Sequence, residues 1–426
     1  MRFNSLHEWL SWQESLNPKE IDLGLERVSR VLHQAGHNSH FDCPLIIVAG
    51  TNGKGSVVAY LEAIALAGGV KTCSYTSPHL LRYNERIRIN GREIDDQSLC
   101  AAFERIDQAR GDEQLTYFEF GTLAAIDLFT VAKPDLVIME IGLGGRLDAV
   151  NIMQPSVAVI TTIASDHTDW LGTDREAIGF EKAGIFRAGC RAVCGDLNPP
   201  QSLMNHAAQL EVDLKLVGRD FRVESRGDAW CLRTDGNSMD ELPLPALAGE
   251  FQLVNAATAI IALESLYGFS VDVEMIKQGL RDVRLPGRYQ LVRQQPAVIV
   301  DVAHNPQAAE SLLSQLRAEA CSGRTHAVVA MLADKPVTDV VERLSSEIDC
   351  WYTAGLESVP RGLSARQMAD AVEQLASNVK LCAAATVAGA CDQALAAACL
   401  LYTSDAADDH GLVVVSGGGG GVKRGG

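Results

Sequence analysis

Seven residues, Gly50-Thr-Asn-Gly-Lys-Gly-Ser56, constrain this chain more than any others. Before them runs Leu45-Ile-Ile-Val-Ala49, and after them comes a second apolar run, Val57 to Ala67, with few helix breakers. The short branched run reads as a buried strand and the longer one as a helix. Glycines allow a tight turn whose backbone N–H groups converge on an anion. The helix that follows sets its positive end on the same point. Lys54 adds a point charge suited to β- and γ-phosphates. The spacing is not the plain G-x-x-x-x-G-K-[ST] pattern, because glycines stand at 50, 53 and 55 and Gly55 separates Lys54 from Ser56. A ligand-free glycine turn is the alternative, and the strand-to-helix context favours phosphate binding.

The rest of the chain repeats the same alternation. Lys71 to Tyr75, Leu136 to Ile141 and Val157 to Thr162 read as buried strands, with helical patterns such as Gly121 to Ala132 between them. Strands alternating with helices imply an α/β fold with a parallel sheet wound on both faces. Arg222 to Leu244 is more polar and predicts small strands or hairpins, and Gln252 to Leu266 an Ala-rich helix. Leu285-Pro-Gly-Arg288 punctuates the chain. A second αβ series follows, with strands expected at Ala297 to Val302, His326 to Leu332, Trp351 to Ala354 and Gly411 to Val415. No repeat recurs at a fixed period. The expected division is 1–286, 287–416 and a glycine-rich, disordered tail at 417–426, and 426 residues suit two or three domains.

Composition excludes several classes. Hydrophobic residues are 47% and charged residues 21%, which suits a globular chain and not a disordered one. Asp plus Glu is 54 against Lys plus Arg 37, a net charge of -17 with no long basic run. Such a chain is a poor partner for nucleic-acid phosphates or an anionic membrane surface. No window has the apolar length of a spanning helix, and Met1 to Leu10 does not resemble a secretory signal. The eleven cysteines are scattered, with C-x3-C at 190 and 194 the one close pair. Free thiols in a reducing cytoplasm are the expectation.

Phosphoryl transfer needs hard oxygen ligands for magnesium as well as a phosphate loop. Glu140 stands at the end of Val137-Ile-Met-Glu-Ile141, just before Gly142-Leu-Gly-Gly145. That is where parallel sheets bind ligands, although a surface glutamate is the bland reading. Asp166-His167 follows the next strand, and His167 fits a metal ligand, a base or a structural histidine equally. Lys182, in Glu181-Lys-Ala-Gly184, reads on spacing alone as an exposed helical lysine.

Taken together the motifs resemble bacterial folylpolyglutamate synthase in its bifunctional form with dihydrofolate synthase, within the ATP-dependent amide ligases that include the Mur cell-wall ligases. The matching segments are Ile21 to Val28, Gly50 to Ser56, Thr76-Ser-Pro-His-Leu80, Thr116-Tyr-Phe-Glu119 and Met139 to Ala149. Asp166 to Gly172, Glu181 to Ile185, Leu285 to Arg288 and Asp301-Val-Ala-His-Asn-Pro306 complete the set, in order, between about residues 10 and 400. The implied fold is a P-loop parallel-sheet domain followed by a smaller Rossmann-like α/β domain. The resemblance implies that Thr51, Asn52, Gly53 and Lys54 hold the ATP phosphates, and that Ser77, Glu140 and His167 bind Mg2+, with two ions expected. Lys182 matches a lysine that the family carries as a carbamate, and with Lys54 and His167 it is assigned to catalysis. Asn255, Arg288 and Asp301 match ATP contacts, with His304 nearby. Asp22, the run Thr116, Tyr117, Phe118 and Glu119, and Leu147, Asp148 and Ala149 are implied contacts of the pterin-bearing substrate. Dihydropteroate, reduced folates and L-glutamate are the implied partners, and a cytoplasmic monomer the implied state.

The implied chemistry is consistent with this inventory. A carboxylate has no leaving group, so ATP converts it to an acyl phosphate and the amine of L-glutamate then displaces phosphate. Both steps concentrate negative charge that Lys54, backbone N–H groups and metal ions would stabilise. Three departures stand out. Asp334-Lys-Pro336 replaces Asp-Lys-Asp, Val150 replaces a common threonine, and Val413-Val-Val-Ser416 runs into Gly417 to Gly421 where the family has Gly-Ser-Phe and a final helix. Leu401 to Asp409 also departs from the family, so the closing helix is expected to be missing. The alternatives are a monofunctional folylpolyglutamate synthase, another ligase of the superfamily, or a non-catalytic relative that binds ATP. A GTPase is disfavoured because no guanine-reading Asn-Lys-x-Asp is present.

Overall fold

The computed structural model describes residues 2–19, 21–166, 168–172, 174–319, 323–357, 359, 361–375, 379–400 and 411–417. The chain divides into two units, one running to Ala246 and resuming over Gln252–Arg284, the other holding Leu247–Phe251 and the chain from Leu285 onward.

The first unit is built on eight strands: β1 (Leu45–Ala49), β2 (Thr72–Tyr75), β3 (Ile87–Ile89), β4 (Arg92–Glu93), β5 (Leu136–Glu140), β6 (Val157–Ile160), β7 (Arg191–Cys194) and β8 (Asp213–Leu216). Their order in the sheet is β4-β3-β2-β5-β1-β6-β7-β8. From β2 to β8 every pair is parallel. Side chains of β1, β2, β5 and β6 are buried along their whole length, as strands covered on both faces must be. The expected parallel sheet carries one antiparallel edge, formed by β3 and β4. Asn90 and Gly91, with φ of 51° and 70°, make the two-residue turn whose twist suits a hairpin.

Among the described residues, ten helices belong wholly or mainly to this unit: α1 (Leu6–Leu16), α2 (Glu26–Gln34), α3 (Lys54–Ala67), α4 (Asp96–Arg110), α5 (Tyr117–Ala132), α6 (Thr168–Leu171), α7 (Arg175–Ala183), α8 (Gln201–Gln209), α9 (Glu250–Glu264) and α10 (Val273–Asp282). Helix α3 is apolar nearly all round and is buried accordingly. It packs closely on α10 through Gly279. The polar stretch after β8 forms a separate antiparallel sheet of β9 (Phe221–Arg226), β10 (Ala229–Thr234) and β11 (Asn237–Pro243).

The second unit carries β12 (Gln290–Gln294), β13 (Ala297–Asp301), β14 (Thr325–Met331), β15 (Cys350–Ala354), β16 (Lys380–Ala384) and β17 (Gly411–Gly417). Helices α11 (Pro306–Ala318), α12 (Val337–Leu344), α13 (Ala365–Leu375) and α14 (Val387–Leu400) join most of them. The order is β12-β13-β17-β14-β15-β16, parallel except for β12 against β13. Gly417 pairs with Met331, so it belongs to a strand and not to the expected tail. The remainder of that tail, 418–426, and the whole atypical stretch Leu401 to Asp409 lie outside the described residues.

A Cβ added at Gly279 would lie 2.6 Å from the Ile64 Cα. Gly279→Ala is therefore expected to destabilise the first unit by about 1–3 kcal/mol through overpacking, read as a lower urea midpoint with an unchanged slope.

Candidate active site

Four neighbouring parallel strands, β2, β5, β1 and β6, deliver the predicted residues to one end of the sheet. Ser77 lies two residues past β2, Glu140 ends β5, Gly50 follows β1, and Asp166 follows β6. Ligands bind in the crevice at the carboxyl ends of such strands, where the strand order reverses.

The phosphate loop is held to the extension of β6. The Thr51 N–H donates to the Thr162 carbonyl at 2.6 Å, the Thr51 hydroxyl donates to the Ala164 carbonyl at 3.0 Å, and the Ala164 N–H returns a bond at 3.0 Å. Thr161 Oγ1 donates to the Asn52 carbonyl at 2.6 Å. Gly53 has φ 87° and caps the start of α3, where a side chain would meet Asn255 Oδ1 at 2.7 Å. Asn255 is fixed in turn by Gln252, which reaches Ser56 at 3.3 Å. A left-handed glycine at the mouth of a 14-residue helix, crowded by an amide, is a cradle that fits phosphate oxygens.

Two ammonium groups meet on one carbonyl. Lys54 Nζ donates to the carbonyls of Gly50 at 3.0 Å and Thr51 at 3.1 Å, and Lys182 Nζ donates to Gly50 at 2.9 Å. Lys182 is 4% exposed, so the reading of an exposed helical lysine is corrected. The contact that buries it is local: at Gly145 a Cβ would stand 2.6 Å from the Glu181 carbonyl, so this glycine loop lies flat on α7. Burial and the neighbouring Lys54 push the Lys182 ammonium down to about 7, against the pull of Asp166 and Asp148.

Glu140 is buried, which removes the surface-glutamate reading, and its Oε2 accepts the Ser77 N–H at 3.2 Å. A carboxylate and a serine hydroxyl are both of the hard oxygen donor type that magnesium takes. Among the described residues no cluster of three or more His, Cys, Asp or Glu side chains could hold a metal by itself. His167 lies outside the described residues.

Asp148 accepts from the N–H groups of Leu143 at 2.8 Å and Val150 at 2.9 Å, yet burial pushes its carboxyl up to about 7. Leu147 is half-buried beside it and Ala149 is buried. Phe118 packs against Gly142, where a Cβ would sit 2.6 Å from the ring, and against Tyr75 with centroids 6.0 Å apart. Thr116 caps α5, and Glu119 closes the capping box. Glu119 also meets Arg27, which binds Asp22. The structure thus brings all the described first-unit candidates into one neighbourhood.

Sequence reasoning assigned no role to Arg27, Arg86 or Arg175. Buried Arg86 donates to His79 Nδ1 at 2.8 Å and lies over the rings of Tyr83 and Tyr117, at 5.2 and 5.6 Å. Burial and the Arg86 charge push His79 down to about 4. Arg175 and Asp196 grip Ile163 at both ends, through its carbonyl at 2.9 Å and its N–H at 2.7 Å. Pairing across distant segments, with burial in the case of Arg86, was the signal, and that is not visible in one sequence.

In the second unit Asp301 ends β13 and accepts from the N–H groups of Tyr289 and Ala303, both at 2.8 Å. Burial raises its pKa against the nearby Arg288 charge. His304 Nδ1 lies 2.9 Å from the Val302 carbonyl, and Arg288 Nη1 donates to Gly287 at 3.2 Å. These three candidates therefore gather at the C-terminal end of one strand.

A glycine loop between strand and helix on a parallel sheet, beside a buried strand-end carboxylate and followed by a second parallel α/β unit, defines a two-domain nucleotide-dependent enzyme. Residues 48–263 match the profile of the Mur ligase middle domain and 287–419 that of the Mur ligase glutamate ligase domain. The dihydrofolate synthase/folylpolyglutamate synthase of Escherichia coli K12 is 46% identical over 364 residues, covering 85% of this chain and 84% of that protein. A structure of E. coli FolC in complex with DHPP and ADP superposes with a TM-score of 0.89 at 42% identity, over 98% of this chain and 95% of that one. The bifunctional enzyme of Yersinia pestis, complexed with AMPPNP and Mn, gives 0.87 at 42% identity, over 98% and 96%. The chain belongs to the dihydrofolate synthase/folylpolyglutamate synthase family of Mur ligases.

The two shifted groups set a pH signature. Between pH 7 and 10.5 the folded chain binds fewer protons at Lys182 than the unfolded chain, so stability rises with pH there. Between pH 3.8 and 7 it binds more protons at Asp148, so that contribution falls as pH rises. In CO2-free buffer, Lys182→Met is expected to abolish the contribution that rises between pH 7 and 10.5, as measured by urea unfolding across pH.

Proposed function

We propose that this chain is an ATP-dependent ligase that joins a carboxylate to L-glutamate, making dihydrofolate from dihydropteroate and extending reduced folates with further glutamate. The observation that carries the reading is the sheet end itself: the phosphate loop, Lys54, and the Ser77–Glu140 pair share it with the Asp148 and Thr116–Glu119 segments. The ligands of the relatives, DHPP and ADP in one and AMPPNP with Mn in the other, support it.

The first step forms a bond between a substrate carboxylate oxygen and the γ-phosphorus of ATP and breaks the bond to the β-phosphate bridge, releasing ADP. The second forms a C–N bond from the glutamate amine to the acyl carbon. Phosphate leaves with the electrons of the broken C–O bond, and the amine loses a proton. Thr51, Asn52 and Gly53 present loop backbone to the phosphates. Lys54 exchanges its loop carbonyls for phosphate oxygens, whose growing charge it stabilises. Asn255 steadies the cradle. Ser77, Glu140 and His167 would hold Mg2+, which supplies Lewis-acid stabilisation of phosphoryl charge.

We assign the nucleotide-binding role to 1–286 and the glutamate-ligase role to 287–416, where Arg288, Asp301 and His304 would meet ATP. Asp22, Thr116 to Glu119 and Leu147 to Ala149 would receive the pterin. The protonated fraction of Asp148, favoured by its raised pKa, can donate as well as accept a hydrogen bond. Lys182 is the group for carbamylation, because an amine held near neutrality at pH 7 keeps the lone pair that adds to CO2. The new N–C bond forms as one N–H proton leaves to solvent. We assign a cytoplasmic, monomeric state; the nine free cysteines among the described residues accord with a reducing compartment.

The test is phosphate release from ATP and Mg2+, with dihydropteroate or a reduced folate, each with and without L-glutamate. Glutamate-dependent release with both acceptors is expected; release with neither would overturn the reading. Lys54→Ala is expected to lower kcat roughly 100- to 1,000-fold in both reactions. Labelled 13C-bicarbonate is expected to give a carbamate resonance that Lys182→Arg removes.

A further inference from the structure

The Asp22 segment and the first turn of α5 are far apart in sequence, and one side chain fastens them together. Arg27 is in the first turn of α2 and its side chain is 18% exposed. Its Nη1 donates to Asp22 Oδ2 at 2.6 Å, and its Nη2 reaches the Asp22 backbone carbonyl. On its other side Nε donates to Glu119 Oε2 at 3.0 Å, and Nη2 lies 2.7 Å from Oε1. Arg27 and Glu119 are 92 residues apart.

We propose that Arg27 is a positioning residue for the pterin-bearing substrate, fastening the Asp22 segment to the first turn of α5 so that both meet the substrate as one surface. The inference rests on the functional reading above, and its geometry stands on four contacts. A guanidinium is the side chain that can do this, because its planar fork bonds a carboxylate through two parallel N–H groups and keeps others for a second acceptor. Glu119 is already committed: its side chain is 5% exposed and also accepts the Thr116 N–H at 2.7 Å. It is therefore a fixed post and Asp22 the tethered partner. Residues 21–24 have no helix or strand of their own. Asn17 Nδ2 adds a second tie, to the Gln114 carbonyl at 2.9 Å, again joining this segment to the approach to α5. Lys19 meets the outer face of Asp22 at 3.2 Å, but from a side chain 67% exposed, where an ion pair contributes little. A segment without regular structure gains a defined position from such ties, and a substrate then meets a surface already in place.

Steady-state kinetics of the full chain test this, with dihydropteroate, ATP, Mg2+ and L-glutamate and the variants Arg27→Met and Arg27→Lys. Arg27→Met is expected to raise KM for dihydropteroate roughly 10- to 100-fold, with KM for ATP and kcat within about two-fold of wild type. Arg27→Lys keeps the charge without the fork and is expected to recover only a small part. Amide exchange over residues 17–25 should quicken in both variants and slow again under saturating dihydropteroate. An unmoved KM for dihydropteroate, a parallel rise in both KM values, or full recovery by Arg27→Lys would each overturn the inference alone. A wild-type chain without glutamate-dependent phosphate release would overturn the functional reading and this inference with it.

Discussion

The structure depends on how closely the ends of β1 and β6 approach. At Gly50, where φ is 151°, a Cβ would fall 1.8 Å from Thr161 Oγ1. Only glycine allows the chain leaving β1 to lie flat against the chain leaving β6. That contact makes the other positions consistent. Once Gly50 is seated, Thr51 and Asn52 bond across to 161–164, and α3 starts with its N–H groups facing the crevice. The Gly50 carbonyl then becomes the common acceptor for Lys54 and Lys182. The grip of Arg175 and Asp196 on Ile163 serves the same end, since it fixes the segment against which the loop leans.

Burial then gives the site its electrostatic character. Lys182 and Asp148 lie close enough to affect each other, and both are nine-tenths or more removed from water. Desolvation drives a lysine down and a carboxylate up. Here both meet near 7 from opposite directions. A site poised in this way can carry either protonation state at little cost near neutral pH, which suits a reaction that consumes an anionic carboxylate and releases a proton. Lys54, half-buried beside them, donates to the loop carbonyls of Gly50 and Thr51.

Local patterns made much of the first unit legible. Branched apolar runs marked β1, β5 and β6, because strands buried on both faces are apolar without alternation. The weaker strands escaped. Arg191–Cys194 and Asp213–Leu216 are short runs with a charged first residue, and β16 opens on Lys380. The Asn90-Gly91 turn was readable from its dipeptide alone but was lost beside a strong parallel signal. Candidate site residues were found where a glycine loop or strand end marked them. What stayed hidden was burial and pairing. Nothing around Lys182 distinguishes an exposed lysine from a desolvated one until Gly145 is seen lying on α7. Arg27 sits among ordinary helical residues until Glu119 arrives from 92 positions away.

The second unit follows a different logic. Its sheet places β17 between β13 and β14, so a strand reached late in the chain completes the centre and not an edge. Five registered pairs join β17 to β13 and seven join it to β14. Until those bonds form, β13 and β14 each present an unpaired edge, the condition that invites wrong partners. Long loop closures must precede such contacts, which makes this pairing the slow event expected in the folding of the unit. Asp301 ends β13, and its two backbone hydrogen bonds turn the chain towards His304 and the cap of α11. The placement of Arg288, Asp301 and His304 therefore depends on the sheet being closed by β17. The phosphate loop of the first unit waits on pairing of the same range, since β1 meets β5 through Leu45 and Val137 and β6 through Ile46 and Val157.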